Sequence, residues 1–463
     1  MAENTGEYRV ESDSMGDVHI PGWAYWGAQT QRAVENFGVS EHRIPISMIR
    51  ALALVKKHAA RANAELGVID ADLAEAVVQA AEEVYEGRWD EHFPIDVFQT
   101  GSGTSWNMNA NEVIANRANE MLGRPLGTRD PVHPNDIVNR GQSSNDVIPT
   151  AVHIADRLEL EAALPRIRKL AQSLAAKASE FKDVVKLGRT HLQDAVPMTL
   201  GQEFSGFAVQ IEKGADRIAA TFGNLEELAL GGTAVGTGIN CHPEMPETAI
   251  QGIAADSRIP FRAAANRFEA IAARDAQVEL MGAVNVLAGA LMKIANDLRI
   301  LASGPRGSIG EITLPSLQPG SSIMPGKVNP VIPEMVIQVA AHLMGKVTSV
   351  TTAGQHGPLE LNMMHPLIAY ETVSAVKLAA ETCDAFATRC IDGITADAER
   401  ATHWIDWSLA LVTPLATEIG YDRAAKLAYK AYKENRKIRD VVEEEGVVPK
   451  ERLDELLDPR RMI

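Results

Sequence analysis

Residues 320–330 read GSSIMPGKVNP. They set two hydroxyls, Ser321 and Ser322, a few positions before a lone ammonium, Lys327, with the amide of Asn329 just beyond. Gly320, Pro325, Gly326 and Pro330 break the stretch too often for a helix, and its side chains are too small for a buried strand. A flexible loop carrying hydroxyls, a cation and an amide hints at a small anion as its ligand.

Three other polar stretches share a design. QTGSGT (99–104) runs into a helix expected from about Ser105. GQSSND (141–146) runs into a helix whose Pro149 lies in the first turn, where a missing N–H costs little. GRTHLQDAVPMTLGQEF (188–204) precedes a helix opened by Thr199 and Gln202, a capping-box pair. Each sets hydroxyls and backbone N–H groups at a helix N-terminus, which holds anions through unpaired amides and the helix dipole. Singly, each reads as an ordinary N-cap. Together with the Ser-Lys-Asn loop they have the groups to surround a small carboxylate.

Other chemistries lack their residues. GGTAVGTG (231–238) has neither the GK[ST] ending of a phosphate loop nor a GxGxxG, and is expected to be a tight turn. There is no GxSxG and no HExxH, and His356 and His365 stand without ligand-spaced companions. Cys241, Cys383 and Cys390 form no CxxC pair, which argues against disulfides, zinc and iron–sulfur clusters. Asp and Glu number 61 against 45 Lys and Arg, a net charge of −16 that disfavours nucleic acid and anionic membrane surfaces. The opening MAENTGEYRVESD has no apolar signal core, and no run approaches eighteen uncharged apolar residues. A cytoplasmic protein is expected.

Positioning these groups falls to helices. Hydrophobic residues make up 46% and aromatics 5% of the 463 residues, with Ala, Leu, Glu and Arg prominent, so the chain is expected to be mainly α. Apolar spacing predicts helices at 47–66, 70–86 and 105–122, then a loop at 123–142 in which Pro131 and Pro134 bar a helix. Longer periodic spans follow at 146–180, 200–228, 264–302, 331–353 and 366–390. Without an internal proline, 264–302 predicts one helix of roughly 58 Å. It is apolar on more than one face, and Gly282 and Gly289 are spaced to let another helix approach, so burial against other subunits is expected.

With these motifs assembled, the chain resembles the fumarase/aspartase superfamily, and class II fumarases most closely. The loop GSSIMPGKVNP matches the superfamily signature. WGAQTQRAVENF (26–37), QTGSGT, HPND (133–136), QSSND, GRTHLQDA (188–195), GGTAVGTG and MKIANDLR (292–299) resemble fumarase blocks in order and approximate spacing.

The resemblance implies three domains, here 1–142, 143–393 and 394–463, with five long central helices that join those of three other subunits in a twenty-helix tetramer core. It implies a small dicarboxylate substrate, active sites shared between subunits, and neither metal nor organic cofactor. It makes Ser321 the base and sets Lys327, Asn329, Ser102, Thr104, Ser143, Ser144, Asn145 and a neighbouring subunit's Thr190 on the substrate carboxylates. His191, supported by Glu334, handles the hydroxyl or water. His133, Asn135 and Asp136 resemble a second anion site, with a plain turn as the other reading.

The activity implied is reversible hydration of fumarate to (S)-malate. Aspartate ammonia-lyase, with the same base and intermediate, is the alternative, and Leu359, VPMTLGQEF and VNPVIPE lean that way, whereas GAQTQR, TGSGT and His191 lean to fumarase. A catalytically silent structural protein on this fold is disfavoured by the intact Ser321, Lys327 and His191. Trp106 stands where fumarases commonly carry a small residue, so it is expected either to crowd the pocket or to pack beneath it.

Overall fold

The computed structural model describes residues 8–463, and helix dominates them, as the composition requires. Two compact units share the chain in alternating pieces. One comprises residues through Leu164, Arg217–Asn285 and Leu343–Leu378; the other comprises Pro165–Asp216, Val286–His342 and Ala379–Ile463.

The chain opens with an antiparallel pair, β1 (Tyr8–Asp13) and β2 (Gly16–Pro21), followed by α1 (Ala28–Asn36), α2 (Ile46–Glu65), α3 (Ala71–Tyr85) and α4 (Thr104–Met121). Helices α2, α3 and α4 match the expected spans within a residue. Asp70 starts α3 because its carboxylate takes the otherwise orphaned amides of Asp72 and Leu73.

After α5 (Ser144–Glu180) comes a hairpin of β3 (Val185–Thr190) and β4 (Gln193–Thr199). Then follow α6 (Leu200–Ala220), α7 (Phe222–Leu225), α8 (Met245–Ser257), α9 (Arg267–Ala272), α10 (Asp275–Leu301), α11 (Val331–Gly354) and α12 (His365–Arg389). Helix α6 opens on the expected capping box: Gln202 N donates to Thr199 Oγ1 at 3.1 Å, and Thr199 N donates to Gln202 Oε1 at 3.0 Å. The five long helices implied by the resemblance are α5, α6, α10, α11 and α12, of 37, 21, 27, 24 and 25 residues.

Three expectations need correction. The span 264–302 is two helices. The Asn266 side chain caps α9, Ala273 is extended (φ −94°, ψ 153°), and α10 restarts at Asp275. No glycine or proline marks the break. Beside it Arg274 is buried, with its guanidinium bonded back to the Ala270 carbonyl. The span 200–228 ends as a helix at Ala220, and α7 and a short strand at Glu227–Leu228 complete it. The 123–142 loop contains one helical turn of the wide π type, Pro134–Val138. Pro134 occupies its first position, where no N–H is needed, so the proline starts the turn that it was expected to forbid.

In the first unit α2 packs against α3, α4 and α8, and every residue from 51 to 60 is buried. Trp106 lies fully buried in the same core, so it packs beneath the α4 N-terminus. In the second unit Val185 and Leu187 of β3 share a core with Leu415, Val441 and Leu453 of the C-terminal helices, which anchors the base of the hairpin.

Candidate active site

The first unit brings together two of the flagged helix ends. Gly103, at φ 71°, precedes α4, and a Cβ there would stand 2.8 Å from Ile148 of α5, so only glycine lets the α4 and α5 N-termini approach this closely. Ser102 Oγ and Thr104 Oγ1 lie 2.8 Å apart, and whichever donates to the other, one O–H is left over. At α5, Ser143 Oγ accepts from Asn145 N at 3.2 Å and Ser144 Oγ accepts from Asn107 Nδ2 at 3.2 Å. Because these oxygens accept from inside, their protons are free to donate outward. Adjacent free hydroxyl protons at two helix N-termini make an anion-accepting surface. Asn145 is held by Nδ2 donating to the Ala234 carbonyl at 2.8 Å.

Behind this surface lie polar groups that sequence reading missed. Asp146 is fully buried and accepts from Ser143 N, Gly231 N and Thr233 N at 2.9, 2.8 and 3.0 Å, which fixes the GGTAVGTG turn against the start of α5. Burial raises its carboxyl, while the three amides and Lys56 pull the other way. Lys56 of α2 is fully buried too, and burial pulls its ammonium down to about 7, with Asp146 as the opposing charge. The available signal was a lysine inside the apolar run ALALVKKHAA.

The second unit carries the hairpin and the loop. Thr190 and His191 are exposed at the hairpin tip, and His191 and Leu192 hold φ of 55° and 60°. Positive φ at both turn positions matches the strand twist, but the usual occupants are Asn and Gly. A histidine and a leucine held there carry backbone strain of the sort concentrated at functional sites. Leu192 is 71% exposed, so packing within the chain does not explain its choice.

In the 320–330 loop, Ser321 Oγ accepts from Met324 N at 3.0 Å and Ile323 N at 3.3 Å. Two amides on one hydroxyl oxygen favour negative charge there. Gly320 is obligatory, because a Cβ would sit 2.1 Å from the Lys327 carbonyl oxygen. Asn329 Nδ2 donates one hydrogen to the Gly320 carbonyl, which leaves its second for a ligand. Lys327 is exposed. Glu334 lies half-buried in the first turn of α11, and no hydrogen bond joins it to His191 among the described residues of one chain.

At the suggested second anion site, His133 Nδ1 accepts from Asn135 N and Asp136 N, each at 3.2 Å, and so acts as a helix cap. Only Nε2 is left for a ligand. A cavity of about 270 Å³ in the first unit contains none of the flagged residues. Glu227, Glu269, Asp275 and Glu279 line it beside Arg274 and His153, an acidic surround unsuited to a dianion.

A lyase family model matches residues 16–345, and one for the fumarase C C-terminus matches 411–463. The class II fumarate hydratase of Thermus thermophilus is 49% identical over 459 residues, covering 98% of either chain. The mitochondrial fumarate hydratase of Rattus norvegicus is 48% identical over 459 residues, covering 98% of this chain and 90% of that one. Among solved structures, class II fumarase from Schistosoma mansoni superposes with a TM-score of 0.96 at 40% identity, covering 98% of this chain and 99% of that one. Likeness at this level along both units means that the chain belongs to the fumarase/aspartase superfamily and, within it, to the class II fumarate hydratases, oligomeric hydro-lyases acting on small dicarboxylates.

Proposed function

We propose that the chain interconverts fumarate and (S)-malate with Ser321 as base, in active sites assembled from several subunits of a homotetramer. In the dehydration direction Ser321, as an alkoxide, takes a proton from malate C3. The electron pair spreads into the adjacent carboxylate, giving an aci-carboxylate with two negative charges. Collapse of that pair forms the C2–C3 double bond and expels the C2 hydroxyl, which His191, oriented by Glu334, protonates to water. The observation that carries this reading is the pair of amides on Ser321 Oγ, which supply the stabilisation that an otherwise feeble serine base needs. Lys327 and Asn329, with the free hydroxyls of Ser102 or Thr104, Ser143 and Ser144, with Asn145 and with a second subunit's Thr190, suit the substrate carboxylates.

The test follows the ultraviolet absorbance of fumarate with malate and, separately, with aspartate, without added metal. Fumarate is expected from malate. Robust release from aspartate with none from malate overturns the reading in favour of ammonia elimination.

The tetramer rests on α10. Of its most apolar eighteen-residue window only 50% is buried within one chain, although mean hydropathy there is 1.5 and the helix is long and apolar enough to cross a membrane by length and composition. Its exposed positions include Gly282 and Val286, and among the described residues nothing comes within 4 Å of a Cβ built on Gly282 or Gly289. A smooth apolar stripe of this kind fits the core of an oligomer. Light scattering is expected to give four chains per particle, and a stable, active monomer sinks the assignment. A cytoplasmic location completes the reading, consistent with free Cys241, Cys383 and Cys390.

A further inference from the structure

Lys56 Nζ donates to three carboxamide oxygens: Asn107 Oδ1 at 2.7 Å, Asn139 Oδ1 at 2.9 Å and Gln142 Oε1 at 2.9 Å. Among the described residues no carboxylate touches it, so the buried ammonium relies on these three amides, and their oxygens must face it. An amide whose oxygen faces inward presents its NH2 outward. Asn107 Nδ2 thereby donates to Ser144 Oγ at 3.2 Å and to Asn139 Oδ1 at 3.2 Å, while Asn139 Nδ2 donates to the Gln142 carbonyl at 3.2 Å and Gln142 Nε2 to the Val138 carbonyl at 3.0 Å.

We infer that Lys56 is a positioning residue for substrate binding: by fixing which end of the Asn107 amide meets Ser144, it turns the Ser144 proton toward the substrate carboxylate. With the amide reversed, Ser144 would donate to Asn107 Oδ1, and its lone pairs would face the dianion instead. One buried charge thus sets the polarity of a hydroxyl that it does not touch. The inference rests on the reading of Ser144 as a carboxylate ligand, and the experiment separates the two.

The measurements are KM for fumarate, kcat, and the inhibition constant of succinate, a non-reacting dicarboxylate, for the parent, Lys56→Met, Ser144→Ala and the double variant. A hydrogen bond to a charged carboxylate is worth on the order of 10- to 100-fold in binding. Ser144→Ala and Lys56→Met are each expected to raise KM and the succinate constant by about that factor, with a smaller change in kcat. Lys56→Met is expected to add less than about twofold in the Ser144→Ala background, because the proton that it orients is already gone. A purely structural lysine would cost the same factor in both backgrounds, and that outcome overturns the inference while leaving Ser144 as a ligand. Unchanged binding in Ser144→Ala removes the ligand reading and the inference with it.

Asn107→Asp covers the case in which Lys56→Met fails to fold. It retains a partner for the ammonium but offers Ser144 no N–H, so the same binding loss and the same non-additivity with Ser144→Ala are expected. Parent-like binding in Asn107→Asp overturns the inference.

Discussion

Ser321→Ala should lower turnover in both directions by about 10²- to 10⁴-fold, the usual worth of a positioned proton-transfer group. Assembly and dicarboxylate affinity should survive. The reason lies in what the hydroxyl touches: among the described residues Ser321 Oγ accepts only from the amides of Ile323 and Met324 inside its own loop, so its removal disconnects no helix and opens no core cavity. Initial rates with fumarate and with malate, the inhibition constant of succinate and light scattering on the same preparation check the three parts together. Near-normal turnover would refute the serine as base, whatever the fold. Lost turnover with lost assembly would instead reveal a structural role that these contacts do not predict.

Lys327→Met should fail differently, weakening binding and turnover together. The Lys327 side chain is exposed and makes no hydrogen bond or ion pair among the described residues, so neutralising it is expected to leave folding intact. Its charge matters for two species. The substrate carboxylate loses one charge-assisted contact, on the order of 10- to 100-fold in affinity. The aci-carboxylate, bearing two charges on the same group, loses more, so kcat should fall as well. The net charge of −16 sharpens the effect, because the surrounding field repels a dianion and local cations must overcome it. Steady-state kinetics and succinate inhibition at low and moderate ionic strength test this, and an unchanged inhibition constant for succinate removes Lys327 from the carboxylate site.

Several features of this protein were legible from residues a few positions apart. Helices α2, α3 and α4 begin and end within a residue of where apolar spacing puts them, and the Thr199–Gln202 pair bonds as its spacing promised. The Ser321 loop was recognisable because glycine, proline, serine and lysine are punctuation and chemistry at once. Such signals act within one turn of helix or one loop, so the chain carries them in its order.

Other features have no local cause. The break at Ala273 lacks any breaker residue and goes with the burial of Arg274. His191 and Leu192 occupy a left-handed turn that neither residue prefers, because the β3–β4 pairing, anchored through Val185 and Leu187, dictates it. Lys56 reads in sequence as half of a lysine pair in an apolar run, yet its acceptors come from positions 51, 83 and 86 residues away. A buried ammonium is tolerable only where such distant groups converge on it, and that convergence is a property of packing that no spacing along the chain records.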